Sequence, residues 1–333
     1  MAINELKHCV INGIVNVIAP NDENNFDLPH LNAEEFKSKT GIETRKVDVS
    51  ENNPIKTYFR QGVLELSRNL NWNLSEIDVF ICITQTPDTL FPSISSRLHG
   101  ELEMNSSAIC FDVNLGCSGY VFGLHIIMSL LSGFQKNGAK AILCTGDIST
   151  RLISKDDVSL RPLFSDAISV TAISYNKDNS SKSYFNLESF GSGSHAISSE
   201  YENGVYFMKM NGLDVFNYSY QFVPKNIKKL LSKFNLELDN IDFSVFHQAN
   251  KMINEAIRRS LKLEEEKVLY SIEKYGNTAI ASIPVTIVEH KEQLKSNDNQ
   301  LLLAGFGVGF SVGTCLLNLP KNCFLYTISY DEN

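Results

Sequence analysis

Residues 111–120 read Phe111-Asp112-Val113-Asn114-Leu115-Gly116-Cys117-Ser118-Gly119-Tyr120, and a long apolar segment over 121–131 follows. An apolar run that ends in glycine and cysteine and then resumes reads as a buried strand, a sharp turn and a buried helix, with the cysteine in the first turn of that helix. The first amides of a helix have no intrahelical acceptor and carry partial positive charge. A thiol placed there is expected to have a lowered pKa. Glycine on either side lets the backbone turn tightly and lets a substrate approach. With sulfur in place of a hydroxyl, this is the geometry of a nucleophile elbow. Cys117 is thus the candidate nucleophile of an acyl-transfer reaction. The other cysteines (Cys9, Cys82, Cys110, Cys144, Cys315 and Cys323) lie in or beside apolar segments and read as packing residues. No CxxC or Cys/His ligand spacing occurs, so no metal site is expected.

Outward from this stretch the chain alternates strands and helices. Residues 8–19 are a β-branched run, read as a strand. Residues 32–41 have helical spacing, with Asn32 before and Gly41 after, and residues 58–70 repeat apolar residues at helical intervals. Residues 78–84 form a continuous apolar run, the mark of a strand covered on both faces. Phe91-Pro92-Ser93 opens another helix, with proline in its first turn. Further strands are expected over 139–146 and 167–174. The polar stretch 176–182 separates an N-terminal half, 1–175, from a C-terminal half, 176–333.

The halves echo one another. Leu74-Ser75-Glu76-Ile77-Asp78-Val79 returns as Leu238-Asp239-Asn240-Ile241-Asp242-Phe243, and Ala141-Ile142-Leu143-Cys144-Thr145-Gly146 as Gln300-Leu301-Leu302-Leu303-Ala304-Gly305. Both echoes fall at an offset of about 160 residues, which suggests a duplicated α/β unit. In such a layered fold, sites lie where the strand ends of the two halves meet.

Partners for Cys117 come from the second half. Ser244-Val245-Phe246-His247-Gln248-Ala249-Asn250 puts His247 at the end of a buried strand, ahead of a helix running to about residue 260. Tyr275-Gly276-Asn277-Thr278-Ala279-Ile280-Ala281-Ser282-Ile283-Pro284 is a Gly-Asn turn leading into small residues. A functional Asn277 would be a neutral donor that supports an oxyanion without competing for protons. Gly305-Phe306-Gly307-Val308-Gly309-Phe310-Ser311-Val312-Gly313 is not the dinucleotide GxGxxG pattern; it reads as a loop exposing amides near a reacting carbonyl. Each element also has a purely structural reading: a helix cap for His247, a turn residue for Asn277.

Composition bounds the rest. Hydrophobic content of 43% and charged content of 20% are those of a globular protein with a large core. A net charge of −8 opposes general nucleic-acid binding, which needs a positive field. The N-terminus lacks the build of a signal peptide and no apolar run reaches transmembrane length. An odd number of dispersed cysteines suits a reducing compartment, so a cytoplasmic location with no membrane partner is expected.

Taken together, Gly-Cys-Ser-Gly-Tyr at 116–120, His-Gln-Ala-Asn at 247–250, Gly-Asn-Thr-Ala at 276–279 and the Gly-Phe-Gly-Val-Gly loop resemble β-ketoacyl-acyl-carrier-protein synthase III, the initiating condensing enzymes of the thiolase superfamily. Thr40-Gly41-Ile42-Glu43-x-Arg45 and Phe91-Pro92-Ser93 extend the resemblance over nearly the whole chain. It implies a thiolase-like αβαβα layered fold of two similar halves, a homodimer, and no cofactor beyond the substrates, acyl-CoA and a malonyl thioester carried by acyl carrier protein. It implies that Cys117 holds the acyl group, that the amides of Cys117 and of Gly307–Val308 form the oxyanion hole, and that His247 and Asn277 stabilise the enolate left by decarboxylation. Phe91 would reach across the dimer and shape the partner's acyl pocket. Coenzyme A contacts fall to Lys39, Arg151, Lys251, Met252 and Phe306.

The chain departs from the family pattern at its CoA anchors. No Trp precedes Thr40-Gly41-Ile42, the usual Arg there is Lys39, and the usual Arg after His-Gln-Ala-Asn is Met252 beside Lys251. Lysine is a poorer bidentate phosphate binder than arginine. The family's Gly-Asp-Gly-Ala-Gly is Ser165-Asp166-Ala167-Ile168-Ser169, and Val308 replaces the commoner glycine. An unusual or carrier-bound donor is expected, in fatty-acid initiation or a specialised acyl or polyketide pathway. Lys251, Arg258, Arg259 and Lys262 offer either a basic face for an acidic carrier or an ordinary solvated helix face. Two other readings stand beside condensation: transfer of the Cys117-bound acyl group to an amine or hydroxyl, and a partner subunit of a heterodimeric synthase.

Overall fold

Alternate residues of the run at 77–83 face different cores. Val79, Ile81 and Ile83 pack into one, Phe80 and Cys82 into another. Near the other end of the chain, Leu301 and Leu303 join the first core, whereas Leu302 and Ala304 join a third. A strand with apolar layers on both faces needs an unbroken apolar sequence, and this protein has several.

The structure is a computed structural model that describes residues 2–202 and 204–332. Its first part runs β1 (Ala2–Lys7), β2 (Cys9–Ile18), β3 (Asn21–Asn24), α1 (Ala33–Thr40), β4 (Thr44–Val47), α2 (Ile55–Leu70), β5 (Ile77–Ile83), α3 (Ile94–Glu101), β6 (Ile109–Val113), α4 (Gly119–Phe134), β7 (Lys140–Asp147) and β8 (Ala167–Tyr175). The second runs β9 (Lys182–Ser189), β10 (Ile197–Glu202), β11 (Val205–Met210), α5 (Gly212–Phe234), β12 (Phe243–Phe246), α6 (Lys251–Leu261), α7 (Ile272–Tyr275), α8 (Ser282–Glu289), α9 (Lys291–Leu294), β13 (Asn299–Gly307), β14 (Ser311–Leu319) and β15 (Phe324–Ser329).

Two mixed sheets form the frame, ordered β15-β2-β8-β7-β5-β6 and β1-β9-β14-β13-β12. The series β2-β8-β7-β5 in one corresponds to β9-β14-β13-β12 in the other. In both, the last pair is parallel and the rest antiparallel. Helices α4 and α8 touch strands of both sheets and form the middle layer; α2 and α3 cover one outer face, α5 and α6 the other. This is the αβαβα layering, and the duplication read from the echoes is visible as strand order. The terminal strands cross over: β1 pairs with β9, and β15 with β2.

Local signals act as read at α1, where Asn32 accepts the Glu35 N–H at 3.3 Å and Gly41 closes the helix at φ +77°. Four expectations need correction. Helix α2 begins three residues earlier than residue 58, because Asn53 receives the Ile55 N–H and Ile55 is buried. Pro92 lies outside α3, whose cap is Ser93; Asp112 on β6 accepts the Ile94 and Ser95 N–H groups at 2.7 and 2.9 Å. The strand before Cys117 is an edge strand and only partly buried, and Cys117 precedes the α4 cap Ser118 rather than sitting in the first turn.

Candidate active site

Cys117 is only 8% exposed. The chain leaves β6 at Val113, and the Gly119 N–H closes a tight turn onto the Gly116 carbonyl at 2.7 Å before α4 begins. The end of β13 comes against this turn. A Cβ on Gly307 would lie 2.9 Å from Cys117 Cβ and 3.1 Å from its sulfur, and Gly307 has φ +148°. Only glycine tolerates both the approach and the conformation. The backbone N–H groups of Cys117 and of the next residue along, Val308, donate toward the sulfur.

Those amides pull the thiol pKa down, but burial and the neighbouring Asp147 carboxyl win and push it up to about 12. The expectation of a lowered pKa is therefore corrected. A helix terminus acts within its first turn, and Cys117 stands ahead of it in a dehydrated spot. Asp147 ends β7, is itself buried, and accepts the Thr84 hydroxyl at 2.8 Å and the Gln85 N–H at 2.6 Å. Nothing in the sequence pattern singled it out.

His247 follows β12, and its N–H donates to Ala304 on β13 at 2.8 Å. Its ring is 2% exposed, stands edge-on to Phe306 at 5.4 Å, and has Nδ1 2.7 Å from the Ser282 hydroxyl. Burial pushes its pKa down to about 3 against an opposing backbone hydrogen bond with Ala279, so the imidazole is neutral. Phe306, expected among the CoA contacts, is 1% exposed and walls this imidazole instead. Its strand residue faces the core because Gly307 beside it faces the cysteine.

Asn277 is clamped by its backbone: its N–H donates to Leu163 and its carbonyl accepts the Ser165 N–H, both at 2.9 Å. Its Oδ1 accepts the Ala279 N–H at 2.9 Å, which orients Nδ2 away; among the described residues Nδ2 makes only a long contact, 3.5 Å, to the Ala249 carbonyl. The clamping segment is itself anchored by Asp166, whose carboxylate accepts the Asp48 N–H, the Thr150 N–H and the Thr150 hydroxyl at 2.9, 2.9 and 2.6 Å. Cys117, His247 and Asn277 thus meet through Gly307, Phe306 and Ala279. Two neutral donors, a nucleophile and an amide pair are gathered at the strand ends of the two sheets, which suits stabilising an oxyanion and an enolate.

The remaining candidates divide. Lys39 at the end of α1 is exposed and paired with Glu35 at 2.5 Å. Lys251 and Met252 are exposed in the first turn of α6, which packs on Gly41, so these three share one rim. Arg151 stands apart. Its guanidinium donates to the Ser50 and Asn52 carbonyls at 2.5 and 2.6 Å, bracing that loop at a cavity of about 680 Å³ shared with Arg45 and Arg161. Phe91 is 84% exposed and beside it Leu90 is 90% exposed.

A two-sheet, five-layer molecule with a cysteine at the junction and a neutral His/Asn pair beside it defines a thiolase-like condensing-enzyme fold. Residues 111–191 match the family model of 3-oxoacyl-[acyl-carrier-protein] synthase III, and 231–319 match that of its C-terminal part. The chain is 30% identical over 293 residues to β-ketoacyl-[acyl-carrier-protein] synthase III of Acholeplasma laidlawii, covering 86% of this chain and 90% of the relative. The crystal structure of a 3-oxoacyl-(acyl-carrier protein) synthase from Burkholderia xenovorans superposes with a TM-score of 0.91 at 26% identity, covering 98% of this chain and 99% of the other. That of 3-oxoacyl-[acyl-carrier-protein] synthase III from Aquifex aeolicus superposes at 0.85 with 25% identity, covering 93% and 99%. The chain belongs to the β-ketoacyl-acyl-carrier-protein synthase III family.

Proposed function

We propose that this protein joins an acyl group to a malonyl unit by decarboxylative Claisen condensation. The observation that carries the reading is the retention of both neutral donors, His247 and Asn277, beside a cysteine whose sulfur meets the Val308 amide. In the first half-reaction the Cys117 sulfur attacks an acyl thioester. The oxyanion is held by the Cys117 and Val308 amides, and the thiol proton leaves with the departing CoA or carrier thiol. In the second, a malonyl thioester loses CO₂. His247 and Asn277 hold the enolate oxygen, and the carbanion attacks the acyl-Cys117 carbonyl. Collapse releases the β-ketoacyl thioester, and the sulfur takes up a proton. Transfer to an amine or hydroxyl needs no enolate, so the His/Asn pair supports condensation over that route and over a silent subunit.

Acyl carrier protein delivers the malonyl group in this reading, and the rim of Lys39, Lys251 and Met252 receives the thioester's phosphopantetheine arm or CoA. The N-terminal half, 1–175, brings the nucleophile and the C-terminal half, 176–333, the donors. Exposed Leu90 and Phe91 support a homodimer in which Phe91 enters the partner's acyl pocket. Among the described residues no helix is long and apolar enough to cross a membrane; a cytoplasmic location is part of this proposal. Intact mass after incubation with a panel of acyl-CoA and acyl-carrier donors tests the first half-reaction. Wild type gains one acyl mass and Cys117→Ala gains none; an adduct that survives Cys117→Ala contradicts the assignment.

A further inference from the structure

Ser282 opens α8, five residues beyond Asn277, and is fully buried. Its hydroxyl oxygen lies 2.7 Å from His247 Nδ1 and also receives the Gln248 backbone N–H at 3.3 Å. Where the protons sit follows from counting donors. Suppose Nδ1 carried the imidazole proton. The Ser282 oxygen would then accept from two N–H groups, and its own proton would have no acceptor among the described residues. An unpaired buried O–H is costly. With Nδ1 bare, Ser282 donates to it and Gln248 donates to Ser282, so the hydroxyl and Nδ1 are both satisfied. The imidazole proton then sits on Nε2.

We propose that Ser282 is a positioning residue that locks His247 in the Nε2–H tautomer, so that the neutral imidazole presents a donor to the enolate oxygen. The proposal rests on the condensation reading above. The opposite tautomer would turn a lone pair toward the developing negative charge. The partner of one ring nitrogen sets the protonation of the other.

Ser282 is itself fixed. Its carbonyl accepts the Thr286 hydroxyl at 2.8 Å, and Thr286 lies 2.7 Å from the Ser271 hydroxyl. The Ser271 N–H donates to Gln248 Oε1 at 3.2 Å, and Gln248 Nε2 donates to the Phe246 carbonyl at 2.8 Å. This closed, buried network ties the residues flanking His247 to α8, and Phe306 stands edge-on to the ring. Among the described residues the imidazole is thus oriented without a carboxylate partner, and burial keeps it neutral.

The test is ¹⁵N NMR of histidine-labelled protein, with the His247 signals assigned by their loss in His247→Ala, together with kinetics of Ser282→Ala and Ser282→Thr. Wild type should show Nδ1 unprotonated and Nε2 protonated, and Ser282→Ala a mixture of tautomers. In that variant kcat for malonyl-dependent CO₂ release should fall about tenfold or more, short of the ~10²–10³ lost with a direct oxyanion donor. KM for the malonyl thioester and the rate of Cys117 acylation should stay within about twofold, the pattern of an interaction made only in the transition state. Ser282→Thr, which keeps the hydroxyl, should recover the tautomer and the rate. A protonated Nδ1 in wild type overturns the proposal even if neither variant folds, and so does a Ser282→Ala enzyme with wild-type kcat. An Nε2–H imidazole in a protein that releases no CO₂ would instead overturn the condensation reading, and with it the purpose of the lock.

Discussion

At the reacting sulfur, two opposing effects can be ranked. Two amides favour the thiolate, yet burial and Asp147 favour the thiol, and the thiol wins. Because the pKa is raised, the thiolate fraction grows with pH throughout the range where an ordinary cysteine would level off. Alkylation of Cys117 by iodoacetamide, followed by peptide mass spectrometry, should therefore climb about tenfold per pH unit between roughly pH 8 and 10. A plateau near neutrality would show a depressed pKa and contradict this ranking. For the donors, His247→Ala and Asn277→Ala should each lower CO₂ release by ~10²–10³ while Cys117 still acylates. Equal loss of both half-reactions would count against separate roles. The identities of Cys117, His247 and Asn277 were legible because short motifs with small neighbours surround each. The direction of the thiol pKa was not, because it depends on how deeply the folded chain buries Cys117 and, after that, on Asp147, which reaches the site from another strand. Ser282 stood in a quoted motif, five residues past Asn277, but its role needed the distance to Nδ1.

At the scale of elements, strand ends do the positioning. Gly307 finishes β13 against the nucleophile, and the adjoining loop is held by serines. The Ser311 hydroxyl donates to the Val308 carbonyl at 2.8 Å, so the proton in its 2.7 Å contact with Ser118 comes from Ser118. Gly307→Ala would drive a methyl into Cys117 and should slow acylation by about 10² or more; wild-type acylation in that variant would mean the sulfur is not packed there. The Asp166 anchor receives only donors, on both oxygens. In Asp166→Asn one amide N–H must face a donor, so thermal denaturation should show a loss of about 1–3 kcal/mol, and an unchanged Tm would deny Asp166 its anchoring role. Doubly covered strands such as β5 and β13 were legible as unbroken apolar runs. The terminal strands β1 and β15 were not, since an edge strand has a weaker pattern and its partner lies far away in sequence.

At the scale of the whole molecule, each sheet is finished by a strand from the opposite end of the chain. Strand β15 covers the β2 edge, brings Leu325 into the central core and leads to Tyr330, whose ring stacks on Tyr58 at 3.8 Å. Removing residues 324–333 would bare a long sheet edge, and size-exclusion chromatography should show aggregate; a monodisperse protein with the original Tm would mean the crossover is dispensable. The two-half architecture was legible from the echoed segments, whereas the crossover of the termini is a property of pairing, not of composition. The layering leaves one junction where both sheets deliver strand ends, and the claim of condensation belongs to it. The most direct test mixes the acylated enzyme with malonyl-carrier protein and follows CO₂ and product mass together. Condensation predicts one CO₂ for each β-ketoacyl thioester formed, with none from Cys117→Ala. An acyl-Cys117 that passes its acyl group to an amine or hydroxyl, with no CO₂ and no new carbon–carbon bond, would contradict it.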